Sequence, residues 1–436
     1  MRILILSNEV WNDKINGNNV TSNWFEGMDA EFANIYASPE TPFNKCCRNY
    51  FQITDVMMLK SIFTGRKAGK RFSLFPKEIG SGENRNLAEP EPRFIYSLLK
   101  PITGDFLRFI RELLWLLGRY DMTELKTFIK DFQPDIIFSE RMASCKMLRL
   151  EKIVSGITEA PLFAFTGDDE YSLRQWKFSP FFWLNRFMIR RRLKDMVKKY
   201  RIYYTLSDEQ KVFYEKCFHC KCDILRKCGV APEVYTPHRI NHPIKLIYAG
   251  KLYCNRWKML AHIAKTLSNI NQNTTKMVLE IYTKETPTRK QKKLLDDKKN
   301  SFIKGSVSQE KLKAIYQQAD IALHVESSDI KNRLATRLSF STKIIDCIFS
   351  GCAVLAFCWN KHSGYTYLKR EDAAICVSNK KELIFTLNAI CDNPNYVNIY
   401  AEKAYKCGKN NHQKKIVQNK LKIDFETALQ TTHHNS

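Results

Sequence analysis

Long apolar runs are missing from this chain of 436 residues. Runs such as Leu113 to Leu117 and Pro180 to Leu184 fall far short of a membrane-spanning helix. The opening Ile3-Leu4-Ile5-Leu6 is likewise too short for the apolar region of a signal peptide. Glycine and proline are scarce, at 16 and 14 residues, which excludes collagen-like and linker-dominated architectures. Low-complexity tracts and internal repeats are lacking too, so neither a solenoid nor a disordered tail-like chain is expected. What is present is apolar mass: 44% hydrophobic and 12% aromatic residues offset chain entropy, over a length that suits two domains. These features predict a cytoplasmic protein in which the 14 cysteines are reduced thiols without a disulfide framework.

Negative charge is also in short supply. Against 70 Lys and Arg stand 45 Asp and Glu, for a formal charge of +25. Such a surface attracts polyanions, and nucleic acid, anionic lipid headgroups and phosphorylated substrates all satisfy it. No helix-turn-helix, finger or aromatic ribonucleoprotein signature accompanies the charge, so nucleic acid is not an expected partner.

Strand-like and helix-like segments alternate. Ile3–Leu6, Ile136–Phe138, Leu162–Phe165 and Ile202–Thr205 read as buried strands, and 125–132 and 181–200 as helices. Segment 55–108 is less regular and reads as a surface excursion or a substrate-facing insertion. Two prolines without apolar periodicity mark 235–243 as a linker. The pattern then restarts: strands are expected at 245–249, 277–282, 320–325 and 353–357, and helices at 259–270, 308–318 and 343–350. Alternation predicts an α/β chain of two Rossmann-like, doubly wound parallel-sheet domains facing a cleft. The boundaries are 1–234 for an acceptor domain, 244–410 for a donor domain, and 411–436 for a basic tail that packs back on the first domain.

Gly250-Lys251-Leu252-Tyr253-Cys254-Asn255-Arg256 places two cations on a loop after a predicted strand, a spacing that suits the two phosphates of a nucleotide diphosphate. Further on, Ser341-Thr342-Lys343 opens a predicted helix, with Asp346 one turn later and Gly351 at its end. Together these resemble the C-terminal domain of GT-B nucleotide-sugar glycosyltransferases, in particular the group 1 (family 4-like) enzymes of bacterial capsule and lipopolysaccharide synthesis. That resemblance implies that Lys251 and Arg256 bind the donor diphosphate and Asp346 the ribose, with Ser341, Thr342 and Lys343 as phosphate or sugar contacts. Leu338 stands where the family usually has a glutamate facing the donor sugar, so retention of configuration, though implied, stays open.

In the first half, Gly17-Asn18-Asn19 matches the family's loop near the phosphate and acceptor, and an ordinary turn is the alternative. Asp168 and Asp169 follow a predicted strand, where a carboxylate takes an acceptor proton or merely caps a loop. Glu140 and Arg141 are weaker candidates of the same kind. Cys217, His219, Cys220 and Cys222 lack the paired spacing of a structural zinc site, and no metal is expected there. Trp183 with Arg190, Arg191 and Arg192 forms an aromatic and cationic patch that suits an anionic membrane surface, or else a solvated helix face.

The leading expectation is a metal-independent glycosyltransferase without cofactors. It would use a UDP- or GDP-linked sugar and a saccharide or lipid-linked acceptor, at the inner face of the cell membrane. A non-catalytic scaffold of a polysaccharide assembly complex and a nucleotide-sugar epimerase remain as alternatives.

Overall fold

The structure is a computed structural model, and it describes residues 1–14, 20–74, 104–141, 144–237 and 239–433. Two compact units divide the described residues. The first holds Met1–Leu173, Lys177–Arg226 and the chain from Val417 on; the second holds Arg174–Trp176 and Lys227–Ile416.

The first unit is built on an eight-stranded sheet: β1 (Arg2–Ser7), β2 (Glu31–Tyr36), β3 (Cys47–Gln52), β4 (Lys70–Ser73), β5 (Ile136–Arg141), β6 (Leu162–Thr166), β7 (Tyr200–Thr205) and β8 (Cys222–Ile224). Their order is β4-β3-β2-β1-β5-β6-β7-β8. Ile3 to Leu6 are wholly buried because β1 has a parallel neighbour on each side, β2 and β5. Trp24 packs edge-on against Phe138 and Phe165 to close one face. The chain from Val417 on joins this unit: Phe425 stacks edge-on against Phe163, and Tyr204 donates its hydroxyl proton to Asp424.

The second unit has six strands: β9 (Ile244–Ala249), β10 (Met277–Tyr282), β11 (Ser301–Gly305), β12 (Ile321–Val325), β13 (Ala353–Phe357) and β14 (Ile375–Val377). All are parallel, in the order β11-β10-β9-β12-β13-β14. In each sheet the winding reverses at the first strand, β1 or β9, and the carboxyl ends beside that reversal are where such sheets bind ligands.

Several sequence expectations need correction. The first sheet is not wholly parallel, since β4 runs antiparallel to β3 at the edge. Its Lys-Arg-Phe-Ser sequence is too short and too basic to read as a strand, yet an edge strand needs only one good partner face, here Phe72 stacked on Tyr50. Within 55–108, Asp55–Phe63 is a regular helix, capped by Thr54 accepting from the Met57 amide, and another helix begins at Gly104. The helix expected at 181–200 spans Pro180–Val197 because Tyr200 already belongs to β7. The helix expected from residue 259 starts at Arg256, and the one expected to reach 350 stops at Ile348. Both of these last changes fall at the candidate site.

Candidate functional site

At the carboxyl end of β9 the chain makes an abrupt turn. Cys254 and Asn255 both adopt left-handed backbone conformations (φ 54° and 60°), which swings the chain so that Arg256 opens the helix Arg256–Ile270. The loop is tied down on three sides: Tyr248 donates its hydroxyl proton to the Lys251 carbonyl, the Leu252 amide donates to Glu285, and Asn255 Nδ2 donates to Asp329.

Arg256 does not face open solvent. Its Nε and terminal nitrogen donate to the two oxygens of Glu326 at 2.9 and 2.6 Å, a bidentate pair buried just beyond β12. Burial alone would raise the Glu326 carboxyl, but the Arg256 guanidinium outweighs it and holds the carboxyl below its usual range. Tyr253 lays its ring under the same guanidinium, 4.7 Å from the ring centre.

Lys343 reaches the same place from the other side. A Cβ on Gly250 would overlap the Lys343 ammonium, so glycine is what lets that charge sit against the backbone of the loop. Among the described residues neither Lys251 nor Lys343 has a carboxylate at ion-pair distance. The Lys343 ammonium is pushed down to about 8, first by burial and then by repulsion from Arg256, with Lys251 adding less. Arg256 is thus neutralised in place, whereas Lys343 and Lys251 have no such pairing among the described residues.

Ser341 and Thr342 lie half-buried beside Lys343. The helix they precede, Lys343–Ile348, has only six residues, and Thr342 makes no side-chain cap. The dipole role expected of a longer helix is correspondingly small. Asp346 pairs with Lys227 at 2.5 Å, so its carboxylate is positioned by a residue that spacing did not suggest. Leu338 is buried.

In the first unit the strand ends carry different chemistry. Asp169 is buried, and its Oδ1 accepts from the amides of Tyr171 and Ser172, so it caps a turn. Its neighbour Asp168 is exposed at the carboxyl end of β6. Arg141 is wholly buried between Glu170, at 2.9 Å, and Glu151, at 3.5 Å. Glu140 accepts from the Thr21 hydroxyl at 2.6 Å, and burial raises its carboxyl. Gly17, Asn18 and Asn19 lie outside the described residues.

On the helix Pro180–Val197, Arg190 stacks on the Tyr171 ring at 3.9 Å and donates to the Tyr171 carbonyl, while Trp183 donates to the Lys177 carbonyl. Arg192 is half-buried. Only Arg191 of the four patch residues is exposed; Phe187 and Leu184 are exposed one and two turns before it. Among the described residues no helix is long and apolar enough to cross a membrane.

No protein-family model matches the chain, and no curated protein sequence matches it. Solved structures do. A sucrose-phosphate synthase from Thermosynechococcus elongatus aligns over 99% of this chain and 100% of its own, with a TM-score of 0.61 at 10% identity. HepE from Anabaena, in complex with UDP, aligns over 98% and 100% with a TM-score of 0.61, again at 10% identity. A trehalose-6-phosphate structure from E. coli bound with UDP-2-fluoro glucose aligns over 98% and 99% with a TM-score of 0.57 at 9% identity.

The fold is GT-B. The Gly250 loop and Lys343 lie at the reversal at β9, beside the carboxyl ends where doubly wound sheets bind ligands. Sequence reasoning brought Lys251, Arg256 and Lys343 to one place but missed Glu326, Glu285 and Tyr248. Glu326 had one available signal, an acid directly after the apolar run of β12.

Proposed function

We propose that this chain is a glycosyltransferase that moves a sugar from a nucleoside-diphosphate donor, UDP- or GDP-linked, to a saccharide or lipid-linked acceptor. The observation that carries the reading is the pair of uncompensated cations, Lys251 and Lys343, gathered on Gly250 at the winding reversal of a GT-B chain. Several solved GT-B chains similar to this one are complexes with UDP or a UDP-sugar, which supports the same ligand class here.

The mechanism follows from charge. Cleaving the sugar–phosphate bond leaves negative charge on the departing diphosphate, and cations already in place stabilise that charge without reorganising. Lys343 and Lys251 supply the charge, Ser341 and Thr342 offer hydroxyl donors, and Asp346 receives the ribose. Arg256 does not grip phosphate directly: bound to Glu326, it holds the loop beside Lys343. These cations do the electrostatic work of leaving-group stabilisation, so no metal is assigned to the transfer step. In the first unit Asp168 takes the acceptor hydroxyl proton as general base, whereas Asp169 is occupied with its turn. The exposed face of Leu184, Phe187 and Arg191 supports contact with an anionic membrane at the cytoplasmic face, in keeping with a lipid-linked acceptor of capsule or lipopolysaccharide type.

Thermal unfolding in the presence of UDP, GDP, ADP and CMP tests the reading. A ligand at one hundred times its dissociation constant adds about 2.7 kcal/mol of stability. One diphosphate should stabilise the wild type and fail to stabilise a Lys251→Ala, Lys343→Ala double variant. If none stabilises the wild type while anionic vesicles do, the donor site is wrong and the charge serves binding alone.

A further inference from the structure

Two residues before Glu326, at the carboxyl end of β12, lies His324. Cys358 directly follows β13, and His362 caps the helix Ser363–Arg370. All three are buried, at 3%, 0% and 3% exposure. One ring nitrogen of each histidine and the Cys358 sulfur lie within 4.8 Å of one another. His324 Nε2 has no hydrogen-bond partner among the described residues, an orphaned polar atom in a buried site. Space is kept open around it by Gly364, where a Cβ would come within 3.2 Å of His324 Nε2 and 3.3 Å of His362 Nδ1.

We propose that His324, Cys358 and His362 form a binding site for a thiophilic divalent cation, zinc in the first instance. Two imidazoles and one thiolate are a zinc ligand set, with a fourth place left for water or another donor. Metal–ligand distances of about 2.0 to 2.3 Å put neighbouring ligand atoms roughly 3.5 Å apart, so the cluster closes by side-chain rotation rather than by refolding. On binding, Cys358 releases its thiol proton to solvent and its sulfur bonds to the metal, while the imidazoles bind as neutral ligands. The metal would tie the end of β12 to the end of β13 next to the Arg256–Glu326 pair. It supports the loop geometry and takes no part in the transfer step, and it does not depend on the donor reading.

The test uses the full chain, stripped of metal with a chelator and then offered Zn²⁺ or Co²⁺ alone. One equivalent should remain after desalting, and the cobalt form should show a thiolate-to-metal charge-transfer band. Cys358→Ser should lose that band and bind zinc at least 10-fold more weakly, and His324→Gln should behave likewise. A Cys220→Ser, Cys222→Ser double variant should leave both readouts unchanged, which matters because those two sulfurs lie 3.6 Å apart elsewhere in the chain. X-ray absorption on the zinc-loaded wild type reads the ligands without any substitution, so it serves even if the variants fail to fold: one sulfur and two nitrogens are expected. A wild type that retains no metal, a band that survives in Cys358→Ser, or a two-sulfur shell would each overturn the proposal.

Discussion

The two sheets end in opposite electrostatic states. At the carboxyl ends of the first unit the strong charges answer one another internally: Arg141 lies between Glu151 and Glu170, and Asp169 is spent on two amides. At the corresponding end of β9 in the second unit, one cation is paired with Glu326, while two have no carboxylate at ion-pair distance among the described residues. Burying an unmatched ammonium is unfavourable, and a protein retains it where something else gains from the charge. In sequence Arg256 and Lys343 both read as phosphate grips, yet only the arginine has a carboxylate partner, and that difference can be tested.

The largest effect should come from the first unit, on the contrast between its two adjacent aspartates. Asp168→Ala is expected to lower kcat by about 10² to 10⁴-fold, the range for a lost general base, with donor affinity unchanged. Asp169→Ala should instead cost about 1–3 kcal/mol of stability, because the Tyr171 and Ser172 amides lose a buried acceptor. Steady-state kinetics and urea unfolding on both variants separate the roles. Equal kinetic losses with equal stability would erase the distinction.

Next in size is the matched cation. Arg256→Ala leaves Glu326 charged and buried, and breaking a buried pair from one side costs about 3–5 kcal/mol. Removing both partners, as Arg256→Met with Glu326→Leu, should recover most of that loss in a urea titration. Donor affinity should still suffer in the double variant, because the loop would no longer be held. If Arg256→Ala proves as stable as wild type but cannot bind diphosphate, Arg256 is the direct grip after all.

Why spacing alone missed the partner of Arg256 follows from where that partner lies. Glu326 is 70 residues away on a neighbouring strand end, and no local pattern couples them. The strands themselves were legible wherever burial on both faces makes the run continuously apolar, as in Ile3–Leu6 and Ala353–Phe357. They were not legible at β4, where an edge strand carries Lys and Arg, nor at the start of the helix Arg256–Ile270, which is set by two left-handed residues, neither of them glycine. Of the His324, Cys358 and His362 cluster only part was local, since Cys358 and His362 share the loop after β13, while His324 comes from β12.

The unmatched cation should come third. Lys343→Ala is expected to weaken diphosphate binding by about 10- to 150-fold, the loss of one charge-assisted contact of about 1.5–3 kcal/mol. Its pH dependence sharpens the comparison. Because the folded-state ammonium sits at about 8 rather than 10.5, the native state binds fewer protons than the unfolded chain between those values. Stability from this group therefore rises with pH across that window, while diphosphate affinity falls as the charge is lost. Calorimetric titrations from pH 7 to 9.5 should show the decline in wild type and a flatter profile in Lys343→Arg. A wild-type affinity that is level through pH 9 would mean that Lys343 is not the phosphate contact.

The smallest effect is the most specific. Gly250→Ala adds one methyl where the Lys343 ammonium now sits, and the backbone at Gly250 is not in the left-handed region, so alanine is tolerated conformationally. The flexible end of Lys343 can swing away at small cost and the Tyr248 hydroxyl, 2.9 Å from the added methyl, must also give slightly, which leaves the fold intact but moves the charge off the loop. Affinity for the diphosphate should drop a few-fold to about tenfold, equivalent to at most about 1.4 kcal/mol, with little change in the urea midpoint. The decisive measurement is the double-variant cycle: if Gly250 acts only by seating Lys343, then Gly250→Ala should add nothing on top of Lys343→Ala. Additive losses would mean that the glycine itself meets the ligand, through its backbone, and that the loop approaches the phosphates more closely than Lys343 does.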